Sequence, residues 1–494
     1  MPKRLSFSNT PVLLIHRAEC TLKLSKLQGV VIDRPYSGDI FTKLLLVLSV
    51  AVPLAAQNVG RPDADPRIEK LVAAVSEERL RQLDERLTSF VTRHTLSDTT
   101  SPVRGIGAAR QWILDELKRS SSKLQVSFDI YRVAAQGRIT RDVELRNVMA
   151  VLPGRTPRRI YVTSHYDTVN IGSGGQIAVN TRPAGQAAPA DPQLNANQDY
   201  NAASPGANDD GSGTALTMEL ARVFAESGIE FDATLVFVCW AGEEQGLVGS
   251  RAHVQKIASE HVLVEAVFNN DIVGNSHSGN GAIDTKSVRV YAEGPEDSTS
   301  RSLARYIQRM ATLYVPAHQV QLMARNDRFG RGSDHSSFNQ YGYPAVVFRE
   351  SNENFSKQHS ANDTLDGVDF KYLAQNARIN AASVAALALA PPAPRVVNER
   401  NQVMIGRQPS GYDANLRWIS SPGAVAYRIY WRDTWTNDWQ HQQLVGNMTE
   451  YIFANVSIDD HVFGVAAVGP DGNESLVSAY VTPIRRDPEV KLVK

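Results

Sequence analysis

Between residues 105 and 390, short β-branched apolar runs alternate with amphipathic helical stretches. RIYVTSH, ATLVFVCW, VEAVFNND and AVVFRE are strand-like, and helix-like segments separate them. That alternation leaves few folds open. Strands buried on both faces with crossover helices between them predict an α/β sandwich around a mainly parallel mixed sheet. Further strands are expected at VSFDIYRV, NVMAVLPG and SVRVYAE. Helices are expected over 66–92, 105–118, 300–314 and 369–390, after Asp209, and from Gly246.

The ends of these strands carry the chemistry. His165 closes RIYVTSH, Glu243 and Glu244 follow TLVFVCWAG, Asp271 closes VEAVFNND, and His359 lies beyond AVVFRE. Asp209 opens a helix after a glycine-rich turn. In open α/β sheets this carboxyl edge is where sites form. Zinc accepts imidazole nitrogen and carboxylate oxygen. Two zinc ions at about 3.5–4 Å clamp a carbonyl and its attacking water. The simplest partition makes Asp209 a bridge, gives His165 and Asp271 to one metal, and Glu244 and His359 to the other. Glu243 is then free to move protons as a general base. Asp167, two residues past His165, is expected to accept the other imidazole N–H and orient the ring. Each motif alone is weak: HxD usually marks an exposed turn, paired glutamates a solvated surface, and NDDGSG a helix cap. The ordered set at strand ends is what carries weight.

SHYDT at 164–168, GANDDGSG at 206–213, WAGEEQGLVGS at 240–250, NNDIVG at 269–274, GSDHSSF at 332–338 and HSANDT at 359–364 resemble the two-zinc aminopeptidases of metallopeptidase family twenty-eight. The resemblance covers about 100–390. It implies a zinc-dependent exopeptidase acting on peptides with a free N-terminus. It also implies two zinc ions on His165, Asp209, Glu244, Asp271 and His359, Glu243 as base, and Asp167 as orienting aspartate. Arg331, Asp334 and His335 fall in the segment that lines substrate in relatives. His335 ranks below His359 as a ligand, because HSANDT matches the ligand motif. An oxyanion-stabilising tyrosine found in some members has no counterpart beside His359, which Gln358 precedes. His253, His261, His277 and His318 fit no motif and are expected to be ordinary surface or helix residues. A carboxypeptidase or dipeptidase on the same scaffold, gripping a carboxylate through Arg331 or Arg325, is the nearest alternative. A glutaminyl cyclase needs one zinc, and a non-catalytic binding protein needs no complete ligand set.

The remaining sequence sets the domain expectations. Lys43 followed by the apolar run 44–56 describes a secretory signal, so 1–56 is a leader and the protein secreted or periplasmic. The run falls short of the roughly 20 apolar residues that span a bilayer, and no stable membrane span is expected in the mature chain. The peptidase domain is 57–390. PPAP at 391–394 is a rigid linker. Residues 395–484 read as an all-β sandwich resembling a fibronectin type III module, a spacer or a binding module for an unknown protein or surface, with a tail at 485–494. Residues 171–205, rich in Gly, Ala, Asn, Pro and Gln, are a long loop expected to rim the site. Lys+Arg and Asp+Glu both number 52, so no polyanion partner and no nucleic-acid binding are expected. The two cysteines, Cys20 and Cys239, supply neither a disulfide framework nor a cysteine zinc site, and Cys239 is expected to be a buried thiol.

Overall fold

A computed structural model describes residues 64–171, 200–407 and 413–481. The expected leader, most of the long loop and the C-terminal tail lie outside the described residues. Eight strands form the main sheet: β1 (Gln125–Val133), β2 (Val143–Leu152), β3 (Arg159–His165), β4 (Thr234–Trp240), β5 (Val264–Asn270), β6 (Ser287–Ala292), β7 (Gln319–Met323) and β8 (Ala345–Glu350). Their order is β1-β2-β4-β3-β5-β8-β6-β7. β4, β3, β5 and β8 run parallel at the centre. β1 and β2 join antiparallel on one side, and β6 pairs antiparallel with β8 on the other. This is the mixed α/β architecture that the alternation predicts.

The two-residue period of a strand divides the core between the sheet's faces. Along β4, Leu235, Phe237 and Cys239 join the larger cluster, packed with the helices Gly213–Glu226 and Phe370–Leu389. Val236, Val238 and Trp240 face the other way, against Val254 and Ile257 of helix Val248–Ser259 and against Phe338. Cys239 is buried, and burial pushes its thiol up to about 12, which fits an inert core residue.

The stretch read as one helix over 66–92 is two, Pro66–Ala73 and Glu77–Thr88. Ser76 starts the second by accepting a hydrogen bond from the Arg79 N–H, a cap that hydrophobic spacing does not reveal. The helix expected from Gly246 begins at Val248, because Gly246 and Leu247 both take positive φ. The edge strand β7 and the short helix His335–Asn339 were not anticipated.

The C-terminal segment forms two four-stranded sheets. Trp418, Tyr427, Ile429, Phe463 and Val465 fill the core between them, and Trp431 packs on its edge. Helix Thr299–Tyr314 makes several of their docking contacts, with Ser302 Oγ donating to the Val477 carbonyl at 2.7 Å and Arg305 Nε to that of Asn437 at 2.7 Å, and Asp65 accepts from Asn473 Nδ2 at 3.0 Å. Among the described residues, no helix is long and apolar enough to cross a membrane.

Candidate metal centre

The parallel core delivers the candidate residues to one edge. His165 is the last residue of β3, Asp271 directly follows β5, and Glu243 and Glu244 sit in the turn after β4. Asp209 lies in the irregular helical turn Ala207–Ser212 that leads into helix Gly213–Glu226. His359 comes from the loop after β8, where it takes a φ of 54° that few non-glycine residues adopt, with its carbonyl accepting from the Ile171 N–H at 3.0 Å.

All five candidate ligands are buried, and they fall into two groups that share Asp209. His165 Nε2 lies 3.4 Å from Asp209 Oδ1 and 3.7 Å from Asp271 Oδ1. His359 Nε2 lies 3.0 Å from Asp209 Oδ2 and 3.4 Å from Glu244 Oε2. Each Asp209 oxygen thus faces one histidine. Asp209 Oδ2 and Glu244 Oε1 are buried yet accept no hydrogen bond from any described residue. Buried polar atoms normally have a partner. A set of two imidazoles and three carboxylates with such free oxygens fits divalent zinc.

Electrostatics support the same point. Burial disfavours charge on His165, but Glu243, Asp209 and Asp271 outweigh it and raise the imidazole well above its usual range. Burial also opposes ionisation of Asp209, yet His359 and His165 hold that carboxyl well below its usual range. Burial pushes Glu243 well above the ordinary carboxylate range; His165 opposes, while Asp271, Asp334 and Asp167 add. Negative charge crowded among buried side chains is stabilised by bound cations.

Asp167 does not make the expected contact. Its carboxylate is 3.8 Å from His165 Nδ1, whereas its backbone carbonyl is 3.1 Å away and takes the imidazole N–H. The carboxylate instead accepts the N–H groups of Glu243 at 3.1 Å and Glu244 at 3.2 Å, and the Thr95 hydroxyl at 3.1 Å. It holds the glutamate turn in place, because the chain after β3 turns its side chain toward β4. His335 belongs to neither ligand group: its Nε2 lies 3.0 Å from the Asn326 carbonyl, and burial lowers its imidazole to about 4. Asp334 is buried, which raises its carboxyl to about 7. Arg331 donates to Gln358 Oε1 at 3.2 Å and lies 3.6 Å from Glu353. Of the histidines outside the motifs, His261 and His277 are exposed. His253 is buried against Asp129 and Tyr161, and His318 against Asn376.

Several supporting residues escaped the sequence reading. Asp210 accepts the N–H groups of His165, Gly213 and Ile272 at 3.1, 3.0 and 3.2 Å, tying three ligand-bearing segments together. A Cβ on Gly213 would meet the Asn270 carbonyl at 2.3 Å, so only glycine admits this approach. Buried Arg93 donates to the carbonyls of Tyr166 and Gly206, which flank His165 and Asp209 in sequence. Asp363 accepts from the N–H groups of Asn208 and Asp209 at 3.0 and 2.8 Å. Its presence in HSANDT was the one available signal. Asp363→Ala is expected to lower zinc affinity by about 10–100-fold and stability by about 1–3 kcal/mol. Zinc titration and thermal melting check both.

An α/β sheet with this buried histidine and carboxylate centre at its carboxyl edge has the make-up of a metal-dependent hydrolase. Residues 147–384 match peptidase family M28. A probable zinc metalloprotease of Pyricularia oryzae is 35% identical over 455 residues, covering 84% of each chain. One from Leptosphaeria maculans is 33% identical over 450 residues, covering 84% of this chain and 97% of that one. The chain belongs to peptidase family M28. Its fold is similar to that of the Legionella pneumophila LapA aminopeptidase, with a TM-score of 0.50 and 20% identity over 68% of this chain and 78% of that one. LapB from the same organism gives a TM-score of 0.50 and 20% identity over 67% and 76%. The protein is thus a zinc metalloprotease acting on peptides.

Proposed function

We propose that this metalloprotease is an aminopeptidase that holds two zinc ions and removes N-terminal residues. The observation that carries the reading is Asp209, which presents one oxygen to each of two histidine–carboxylate pairs. His165 and Asp271 would hold one zinc and Glu244 and His359 the other, with Asp209 offering one oxygen to each group. When bound, zinc ions polarise the scissile carbonyl and lower the pKa of water. Glu243 takes a proton from the attacking water and returns it to the leaving amine. Asp167 keeps Glu243 in register through the backbone N–H. Asp334, whose carboxyl acts on Glu243 and is raised by burial, is the candidate partner for a free α-amine, whose positive charge would draw that carboxyl back towards ionisation.

Carboxypeptidase or dipeptidase action is the second reading, and it needs a free guanidinium for the substrate carboxylate. Arg331 already contacts Gln358 and Glu353, which favours the amine. We further read the C-terminal sandwich as fibronectin type III-like and the protein as secreted or periplasmic. The deciding experiment compares aminoacyl anilides, their N-acetylated forms and dipeptides with a free C-terminus. Free aminoacyl anilides are expected to be cleaved at least about 100-fold faster than the blocked ones, because blocking leaves the amine-binding charge unpaired. Equal rates would sink the aminopeptidase reading and leave the metalloprotease intact.

A further inference from the structure

The two ligand groups have the same composition beyond the shared Asp209: one histidine and one carboxylate each. They differ in what stands behind the carboxylate. Asp271 has both oxygens engaged. Oδ1 is ion-paired with Arg349 Nη1, and Oδ2 accepts from the Ser333 hydroxyl. Arg349 Nη1 also donates to the Asp271 backbone carbonyl at 2.9 Å. Arg349 is fully buried on β8, and its Nη2 donates to Asp327 Oδ2 at 2.9 Å. Arg138 donates to the Glu244 backbone carbonyl at 2.7 Å, but among the described residues no guanidinium touches the Glu244 carboxylate, which pairs with His359 and whose Oε1 accepts nothing.

We propose that Arg349 is a positioning residue that makes the two metal positions unequal: it aims Asp271 at His165 and offsets its charge, so zinc is held more loosely by His165 and Asp271 than by Glu244 and His359. This rests on the two-zinc reading above. Two effects of Arg349 oppose each other. Fixing the carboxylate favours binding, while a guanidinium touching that carboxylate repels a divalent cation. Ser333 and the backbone of β5 share the fixing. Arg328 also acts on Asp271, but its guanidinium is paired with Asp327 and Glu353 and does not touch that carboxylate, so most of the repulsion is Arg349's, and buried charges are little screened by salt. Even at an effective dielectric of 20, a full charge within about 5 Å of a divalent cation changes affinity by tenfold or more. Charge therefore wins. Asp327 draws part of the guanidinium's charge away from Asp271 and so moderates the effect.

The test is zinc retention by the full chain against graded chelator. The wild type is expected to release two equivalents in two steps, with midpoints separated by about tenfold or more. Arg349→Gln is expected to tighten the looser step by about tenfold or more, bringing the steps together, and Arg349→Lys to restore the separation. Asp327→Asn leaves the guanidinium to Asp271 alone and is expected to loosen that step further. Asp271→Asn should abolish the looser step and spare the tighter one. A scaffold role alone would make Arg349→Gln and Asp327→Asn both loosen zinc, and that result overturns the proposal. So does loss of the tighter step in Asp271→Asn. Should Arg349→Gln not fold, tightening of the looser step in Asp327→Asn has the same force. Saturation of the wild type below two equivalents would instead overturn the two-zinc reading itself.

Discussion

Glu243→Gln is expected to lower kcat/KM by roughly 10²–10⁴-fold, the range associated with general acid–base catalysis, while zinc content stays at the wild-type level. Glutamine keeps the side chain's size and one oxygen but cannot take up a proton at neutral pH. The fold has little reason to respond. Glu243 is fixed mainly through its backbone, whose N–H bonds to Asp167 Oδ1 at 3.1 Å, and it belongs to neither ligand group. The buried carboxylates around it are also relieved of one negative neighbour, so a fall in melting temperature is not expected. Steady-state hydrolysis of an aminoacyl anilide, metal analysis and thermal melting on the same preparation separate these effects. Activity retained in full would remove Glu243 from the role of base, and zinc lost along with activity would make it a ligand.

Asp209→Ala is expected to have the broader effect. On the proposed two-zinc reading, a site of three protein ligands and water would become a site of two at both positions, because each group includes one Asp209 oxygen. Loss of a mere orienting partner costs about 10–100-fold in affinity, so loss of the shared ligand is expected to exceed about 100-fold per site. Both equivalents should leave together on dialysis, and activity should fall below detection. That pattern differs from Asp271→Asn, which touches one position. Retention of a single tightly bound zinc in Asp209→Ala would show that the carboxylate serves one metal and is no bridge.

Some of this architecture was open to reading from the chain alone. The strands β3, β4, β5 and β8 are continuous apolar runs because both their faces are covered, and such runs stand out in any sequence. The break between Pro66–Ala73 and Glu77–Thr88 did not stand out, since hydrophobic spacing continues across a capped interruption. Edge strand β7 is only five residues long with a half-exposed pattern, which gives periodicity little to grip. At the site, the residue types and their positions after strand ends were legible. The work of Asp167 was misread, because two-residue proximity to His165 suggested a contact that the turn after β3 gives to a backbone carbonyl.

The sequence by itself determined the sheet class and the chemical character of the centre, because burial periodicity and donor atoms are properties of residues taken in order. Tertiary structure alone decided which oxygen meets which imidazole. Asp209, Asp271, Glu244 and His359 are separated by tens of residues and are brought together only where parallel strands end side by side. Arg349 shows the difference most clearly. Nothing in FRES marks its arginine as functional. It reaches Asp271 because β8 lies beside β5 in the sheet, and only that adjacency places a buried positive charge behind one of two otherwise matched carboxylates.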